Sequence, residues 1–281
     1  MPANRRLARP SFWLLCVALF SVGVSFGVPV AYAPGARLAI GVVQLCLIVA
    51  FAWAAGLERI ASPGDMYRKS MFVAVLLLWP QATFSLMPGF GPPDFTDAAH
   101  NAFRFWVLLA DVIAIGAGTF LLQDVLSELG ERLWSRLAFA AMLSATPSYL
   151  VWAILMLTAA RAAASGAPWR LGAGHEALQN VVDGLQFVGA LATYLAGGLF
   201  AFSLRSSGLI GRKAAVALVG AAGLAEVCMV VRGLDNPPLK LLPSNIFPIL
   251  GWAAGIPAVP WIGLGVIGLI ILRRPLTSST E

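Results

Sequence analysis

Two carboxyl side chains interrupt runs of the sequence that are otherwise apolar. Asp111 lies within "RFWVLLADVIAIG" and Glu226 lies within "GLAEVCMVV". Burying an ionisable side chain in hydrocarbon is energetically costly. Its presence in such a run therefore indicates a functional site, provided that the side chain has a binding partner. A carboxyl group in this setting binds an ion or a proton, or it pairs with a basic side chain of another helix. We therefore predict that Asp111 and Glu226 are binding carboxyls.

Other polar residues occur at similar depths in neighbouring apolar runs. Arg104 precedes Asp111 by seven residues, which places both on one face of a helix, two turns apart. Arg104 and Arg232 are the predicted counter-charges. The predicted ligand- or ion-binding residues are Asp111, Glu226, Arg104, Gln186, Asp183 and Arg232.

The two histidines, His100 and His175, are the candidates for general acid and base catalysis. They fall in separate segments between apolar runs and lack the H-x-x-x-H or H-E-x-x-H spacing of metal ligands on one helix face. Cys16, Cys46 and Cys228 all lie in apolar runs without a C-x-x-C pair. We predict no metal site, and no cofactor signature is present.

The composition is that of a membrane protein. Hydrophobic residues make up 59% of the 281 and charged residues 11%, against about 25% charged in soluble domains. Because the apolar runs are continuous and do not alternate, they predict spanning α-helices. The net charge of +6 lies in short loops without interleaved aromatic residues, so it indicates no nucleic-acid surface.

About 20 apolar residues cross a bilayer, and the chain contains eight such runs. The predicted fold is all-α: a polytopic integral membrane protein whose helices form one transmembrane bundle domain, 1–281. The predicted spans are 11–32, 38–57, 70–88, 102–122, 136–160, 181–204, 213–232 and 246–272.

Lys and Arg counts in the connecting segments predict the orientation of these spans. With both termini in the cytoplasm of an inner-membrane protein, the inner segments hold thirteen basic residues and the outer segments six. Asp111 and Glu226 then lie about 13 Å and 9 Å below the outer surface, at 1.5 Å per residue. This depth predicts that the two carboxyls face one outward-opening polar pocket, between spans four, six and seven.

Three functions fit these features. The first is binding or translocation of a small molecule or ion, as in a transporter, through the pocket with Asp111 and Glu226. The second is a membrane enzyme that acts on a lipid-linked or apolar substrate at the outer leaflet, with His100 and His175 as acid and base. The third is a structural subunit or assembly factor that docks a membrane-protein partner. The chain contains no phosphate-binding loop and no G-x-S-x-G motif.

Overall fold

The computed structural model describes residues 66–84, 98–164, 175–235 and 258–273, together with six residues between positions 39 and 50. The regular structure in these ranges is entirely α-helical, as predicted. The four ranges hold six helices: α1 Met66–Phe84, α2 Ala98–Glu128, α3 Leu133–Ala164, α4 His175–Ser206, α5 Arg212–Asp235 and α6 Ala258–Arg273.

Four of the described helices are long and apolar enough to cross a membrane. These stretches are Asn101–Glu128, Leu133–Ala162, Asn180–Ser206 and Arg212–Arg232, so they support four of the eight predicted spans. Helix α1 carries Arg68 and Lys69 in its first turn, and the apolar part of α6 is the shorter Val259–Leu272. The predicted span 11–32, most of 38–57 and the segment 246–257 lie outside the described residues.

Helices α2 to α5 extend beyond the predicted spans at both ends. Helices α2, α3 and α4 contain 31, 32 and 32 residues, which corresponds to about 46–48 Å at 1.5 Å per residue. The hydrocarbon core of a bilayer is only about 30 Å thick. Their terminal turns therefore reach the polar interface, where charged residues such as Asp124 and Arg136 are tolerated.

Five of these helices form a ring of contacts. Helix α2 packs against α1 and α3, α4 packs against α3, α5 and α6, and α6 returns to α1. Helix α5 packs mainly against α4. Large apolar side chains point away from the bundle, including Phe120 on α2 at 54% exposed and Leu224 on α5 at 67%. In a membrane these side chains contact lipid, whereas in water they would remain as exposed apolar surface.

Two short turns connect the helices at one end of the bundle. Gly130 after α2 and Gly208 after α4 have φ values of 89° and 73°, the left-handed conformation in which glycine carries no steric penalty. After α2, the N–H of Glu131 donates to the carbonyl of Leu126 at 3.1 Å, and the N–H of Gly130 donates to that of Ser127 at 3.1 Å. This pair of bonds is a Schellman motif. The helices are therefore interrupted between the predicted spans 102–122 and 136–160 and between 181–204 and 213–232, as predicted.

Small residues allow close approach of the helices at particular points. A Cβ on Gly268 of α6 would lie 3.2 Å from the Ala74 carbonyl oxygen of α1, and one on Gly189 of α4 would lie 3.0 Å from the Tyr149 ring of α3. Gly189 therefore allows the close packing of α4 against α3. At Gly197, by contrast, the described residues leave open space.

Candidate functional site

Asp111 lies on α2 and is completely buried. Its Oδ1 is 2.6 Å from the hydroxyl oxygen of Thr83 on α1. The two residues join helices that run in opposite directions. Lys69, fourteen residues before Thr83, contacts Asp124, thirteen residues after Asp111. The register between α1 and α2 is therefore continuous over about 20 Å.

Thr83 sits one turn after a proline within α1. Its hydroxyl oxygen lies 3.1 Å from the carbonyl oxygens of both Trp79 and Pro80, in addition to Asp111. Pro80 has no N–H, so the helix loses one backbone hydrogen bond at this turn. The Thr83 hydroxyl is thus surrounded by three acceptors but carries a single hydrogen.

The second carboxyl oxygen of Asp111 has a different environment. Oδ2 is buried and has no hydrogen-bond partner among the residues that the structure describes. Thr83 is the described side chain that hydrogen-bonds to this carboxyl, through the other oxygen. A buried carboxyl with an open acceptor atom is costly, and such groups occur where an ion or a proton is bound.

Further buried polar groups lie close to this pair along the chain of contacts. Gln81 is two residues before Thr83, and its side chain packs over Gly265 of α6, where a Cβ would lie 3.1 Å from its Cγ. One turn earlier on α6, Trp261 stacks edge-on against Tyr149 of α3, with ring centroids 5.4 Å apart.

Tyr149 places a buried hydroxyl between α3, α4 and α6. Its polar neighbour is Thr193 of α4, but the Thr193 hydroxyl donates to the carbonyl of Gly189 at 2.7 Å. The Tyr149 hydroxyl makes no hydrogen bond of ordinary geometry within the described part of the chain. We use the name polar layer for Gln81, Thr83, Asp111, Tyr149 and Thr193, all of them buried.

Aromatic rings adjoin the polar layer on its α2 and α3 side. Phe105 of α2 packs edge-on against Trp152 of α3 at 5.7 Å, and Trp152 contacts Tyr149 at 6.4 Å. All three are almost completely buried. Sequence reasoning missed Thr83 and Tyr149 because a lone hydroxyl in an apolar run carries little signal.

The structure does not bring Asp111 and Glu226 together. Glu226 lies on α5, which packs against α4, whereas Asp111 faces Thr83 of α1. Glu226 is half-buried. A pocket that contains both carboxyls remains a prediction, and the described helices supply no direct contact for it.

Two other predicted site residues do interact. Asp183 near the start of α4 acts electrostatically on Arg232 near the end of α5. Both also take part in contacts within the described chain. Arg104 and Gln186 are half-buried on α2 and α4. At this end of the bundle, which we name the Arg161 end, the guanidinium of Arg161 lies 5.6 Å from the Trp106 ring.

The two histidines, predicted between the apolar runs, lie outside the stretches that could cross a membrane, but their backbone is helical. His100 lies in the first turn of α2, and His175 is the first residue of α4. The helices begin earlier than the apolar runs because their first turns lie in the polar interface, where hydropathy gives no signal. The side chains of both histidines are outside the described part of the structure.

The opposite end of the bundle, the Lys69 end, carries a network of charges that sequence reasoning missed. Lys69 of α1 forms ion pairs with Asp124, at 2.7 Å, and with Glu128, both on α2. Hydrogen bonding to Asp124 and then Glu128 raises the pKa of Lys69 above its ordinary value. The four-residue spacing of the two acids, which places them on one helix face, is the signal that could have indicated a shared partner.

Glu131 holds three helices together at the same end. Its carboxylate accepts hydrogen bonds from the N–H groups of Trp134 at 2.9 Å and Ser135 at 3.1 Å in the first turn of α3. It also accepts one from the Ser203 hydroxyl near the end of α4. Burial alone would raise the pKa of Glu131, but these hydrogen bonds outweigh it and lower the pKa below its ordinary value.

Comparison with known proteins identifies no relative of this chain. No protein-family model, no curated protein and no solved structure matches the chain.

Proposed function

We propose that this chain is a multi-pass inner-membrane protein that binds or translocates a small ion or molecule, with Asp111 as the binding carboxyl. One observation carries the proposal: Asp111 is fully buried in an apolar bundle, and one of its oxygens has no partner in the described chain. A purely structural acid would be expected to have both oxygens satisfied. The other buried members of the polar layer support a site at this level.

The proposed topology has eight spans with both termini in the cytoplasm. The Lys69 end then faces the cytoplasm, and the Arg161 end faces outward. The charge asymmetry of thirteen to six supports this orientation. Topology reporters fused after the α2–α3 turn and after α3 test it: the first should report a cytoplasmic location and the second an external one. The reverse pattern would refute the orientation.

Glu226 has a separate place in the proposal. Its helix packs mainly against α4, so Glu226 contributes to transport only if it lies along the same path as Asp111. Replacing Glu226 by Gln tests this, because the amide keeps the shape of the side chain but cannot ionise. We expect a smaller loss of activity than for the same change at Asp111.

The function is tested in proteoliposomes that contain the purified full-length chain. A panel of cations, anions and small metabolites is screened for flux with and without a pH gradient. The decisive variant is Asp111→Asn. The matched control is Thr119→Val, because Thr119 is equally buried on α2 but donates to its own helix carbonyls at 2.9 and 3.0 Å.

We expect flux in the wild type and in Thr119→Val, and its loss in Asp111→Asn with unchanged insertion and yield. If Asp111→Asn retains full flux, Asp111 does not carry the activity. If Asp111→Asn lowers only the amount of folded protein, the carboxyl is structural and the chain is better explained as a subunit or assembly factor. The enzyme hypothesis is tested separately by His100→Ala and His175→Ala, which should each abolish turnover of a lipid-linked substrate.

A further inference from the structure

We propose that the species bound at Asp111 is a proton, and that the structure shows the proton-loaded form, in which a neutral Asp111 donates a hydrogen bond to Thr83. The proposal rests on the proposed function for its role in transport. The protonation of Asp111 and the direction of its hydrogen bond can be measured whether or not transport occurs.

The Thr83 hydroxyl lies close to more acceptor oxygens than it has hydrogens to donate. The hydroxyl oxygen lies within 3.1 Å of three acceptor oxygens, one from Asp111 and two from backbone carbonyls of α1. A hydroxyl group can donate only one hydrogen bond. If Asp111 is ionised, Thr83 must give its hydrogen to Oδ1, and its contacts with the carbonyls become repulsive. If Asp111 is protonated, Oδ1–H donates to Thr83, and Thr83 donates to a carbonyl of its own helix.

The Oδ2 atom of Asp111 has no hydrogen-bond partner among the described residues. In the ionised form Oδ2 shares the negative charge and is buried without a donor, which is very costly in a low-dielectric interior. In the protonated form Oδ2 is the carbonyl oxygen of a neutral acid, and an unsatisfied carbonyl is tolerated more readily. The geometry around both oxygens of Asp111 therefore fits the neutral acid.

The charged groups on the helices around Asp111 lie along the bundle from it. Helix α2 packs against α1 and α3. On α1 the charged residues Arg68 and Lys69 lie about 20 Å from Thr83 along the helix. On α3, Arg161 is at the Arg161 end, where its guanidinium lies 5.6 Å from the Trp106 ring. On α2 itself, Arg104 is about 10 Å away, two turns along the helix.

Among the described side chains, Thr83 is the one that hydrogen-bonds to the Asp111 carboxyl. A bound metal cation would need several oxygen ligands, whereas the described residues offer Asp111 a single hydroxyl. A proton needs only one acceptor. The site as described therefore fits a proton better than a metal ion.

Release of the proton from Asp111 requires a change in the surroundings of both carboxyl oxygens. When the O–H bond of Asp111 breaks, the proton leaves to an acceptor such as water, and the carboxylate gains a charge that the present surroundings do not stabilise. The Thr83 hydroxyl then has to turn from its own helix toward Oδ1, and Oδ2 has to gain a donor. Entry of water or a movement of α1 relative to α2 would supply that donor.

The experiment is infrared difference spectroscopy on the full-length chain in lipid nanodiscs, in which an alkaline pH step removes the proton. The band observed is the carbonyl stretch of a protonated carboxylic acid, which is separate from the bands of ionised carboxylates. We expect this band at neutral pH in the wild type and its complete loss in Asp111→Asn. Thr83→Val should shift the band because it removes the acceptor, and Thr83→Ser should leave it in place.

Glu226→Gln is the matched control, since it removes another carboxyl of the membrane region and should leave the Asp111 band unchanged. Absence of the band in wild-type protein at neutral pH would overturn the proposal, as would a band that is insensitive to Thr83→Val. If proteoliposomes show Asp111-dependent flux of a metal cation without proton movement, the proposed function holds and the proton assignment is wrong. If the band behaves as expected but no flux occurs, the protonation assignment holds and the proposed function fails.

Discussion

Glu131 gives the most specific prediction about stability, because a single carboxylate connects α3 to α4. Replacing Glu131 by Ala removes the two hydrogen bonds to the first turn of α3 and the one from Ser203. Loss of a helix cap costs about 0.5–2 kcal/mol. A hydrogen bond to a charged group contributes about 1.5–3 kcal/mol when buried, and less at this partly exposed position. We therefore expect a loss of roughly 2 kcal/mol in the free energy of unfolding.

Reversible unfolding in mixed detergent micelles measures this loss. A double-mutant cycle with Ser203→Ala isolates the bond between helices, and we expect a coupling energy of roughly 1 kcal/mol. Arg132→Ala is the matched control, because Arg132 is the exposed neighbour in the same turn. If Glu131→Ala costs no more than Arg132→Ala, within about 0.5 kcal/mol, the carboxylate does not hold the helices together.

The same residue predicts a pH dependence. The pKa of Glu131 is lowered from its ordinary value of 4.5 in the folded state. Its stabilisation is therefore fully present above pH 4.5 and is lost as the pH falls through the lower, folded-state pKa. Wild-type protein should lose stability in that acidic range, and Glu131→Ala should lose less. Equal acid sensitivity in both proteins would contradict the assignment.

Three further predictions concern other parts of the bundle. Lys69→Met should lower the free energy of unfolding by no more than about 1 kcal/mol, because the ion pairs are partly exposed. Since the pKa of Lys69 is raised, the contribution of these ion pairs should persist below pH 10.5 and fade as the pH rises through the folded-state pKa. Unfolding at several pH values measures this dependence. Gly268→Ala should destabilise the fold by about 1–3 kcal/mol, because the new Cβ meets the α1 backbone. The control Gly263→Ala, at a position with open space, should be neutral or should stabilise the fold by up to about 1 kcal/mol. Equal losses in the two variants would refute the close approach. Tyr149→Phe should leave the free energy of unfolding within about 0.5 kcal/mol, since its hydroxyl makes no hydrogen bond among the described residues; a larger loss would show that it has a partner.

Much of the fold could be predicted from hydropathy alone. The apolar runs predict helices α2 to α5 because lipid-facing and core-facing residues are both apolar, so each span stands out as a continuous stretch. The helix ends could not be predicted as well. Residues such as Glu128 and His100 extend the helices into the polar interface, where hydropathy falls although the backbone remains helical.

The site could be predicted only in part, because helix rotation and pairing are not encoded in depth. Asp111 was identified by its charge, and the structure shows that it is completely buried. Its partner Thr83 could not be found, since a threonine in an apolar run is commonly bonded to its own helix. The pocket shared by Asp111 and Glu226 was predicted from depth alone and stays a prediction; among the described helices, α2 packs against α1 and α3, and α5 mainly against α4.

Proton flux through proteoliposomes tests the central claim most directly, with Asp111→Asn and Glu226→Gln compared side by side at matched protein content. If Asp111 is the binding carboxyl and a proton is the species that it binds, the wild-type chain acidifies or alkalinises the vesicle lumen in response to an imposed gradient. The Asp111→Asn variant then shows no flux above empty vesicles, while Glu226→Gln retains flux. Undiminished flux in Asp111→Asn, or loss of flux in Glu226→Gln alone, would contradict the account.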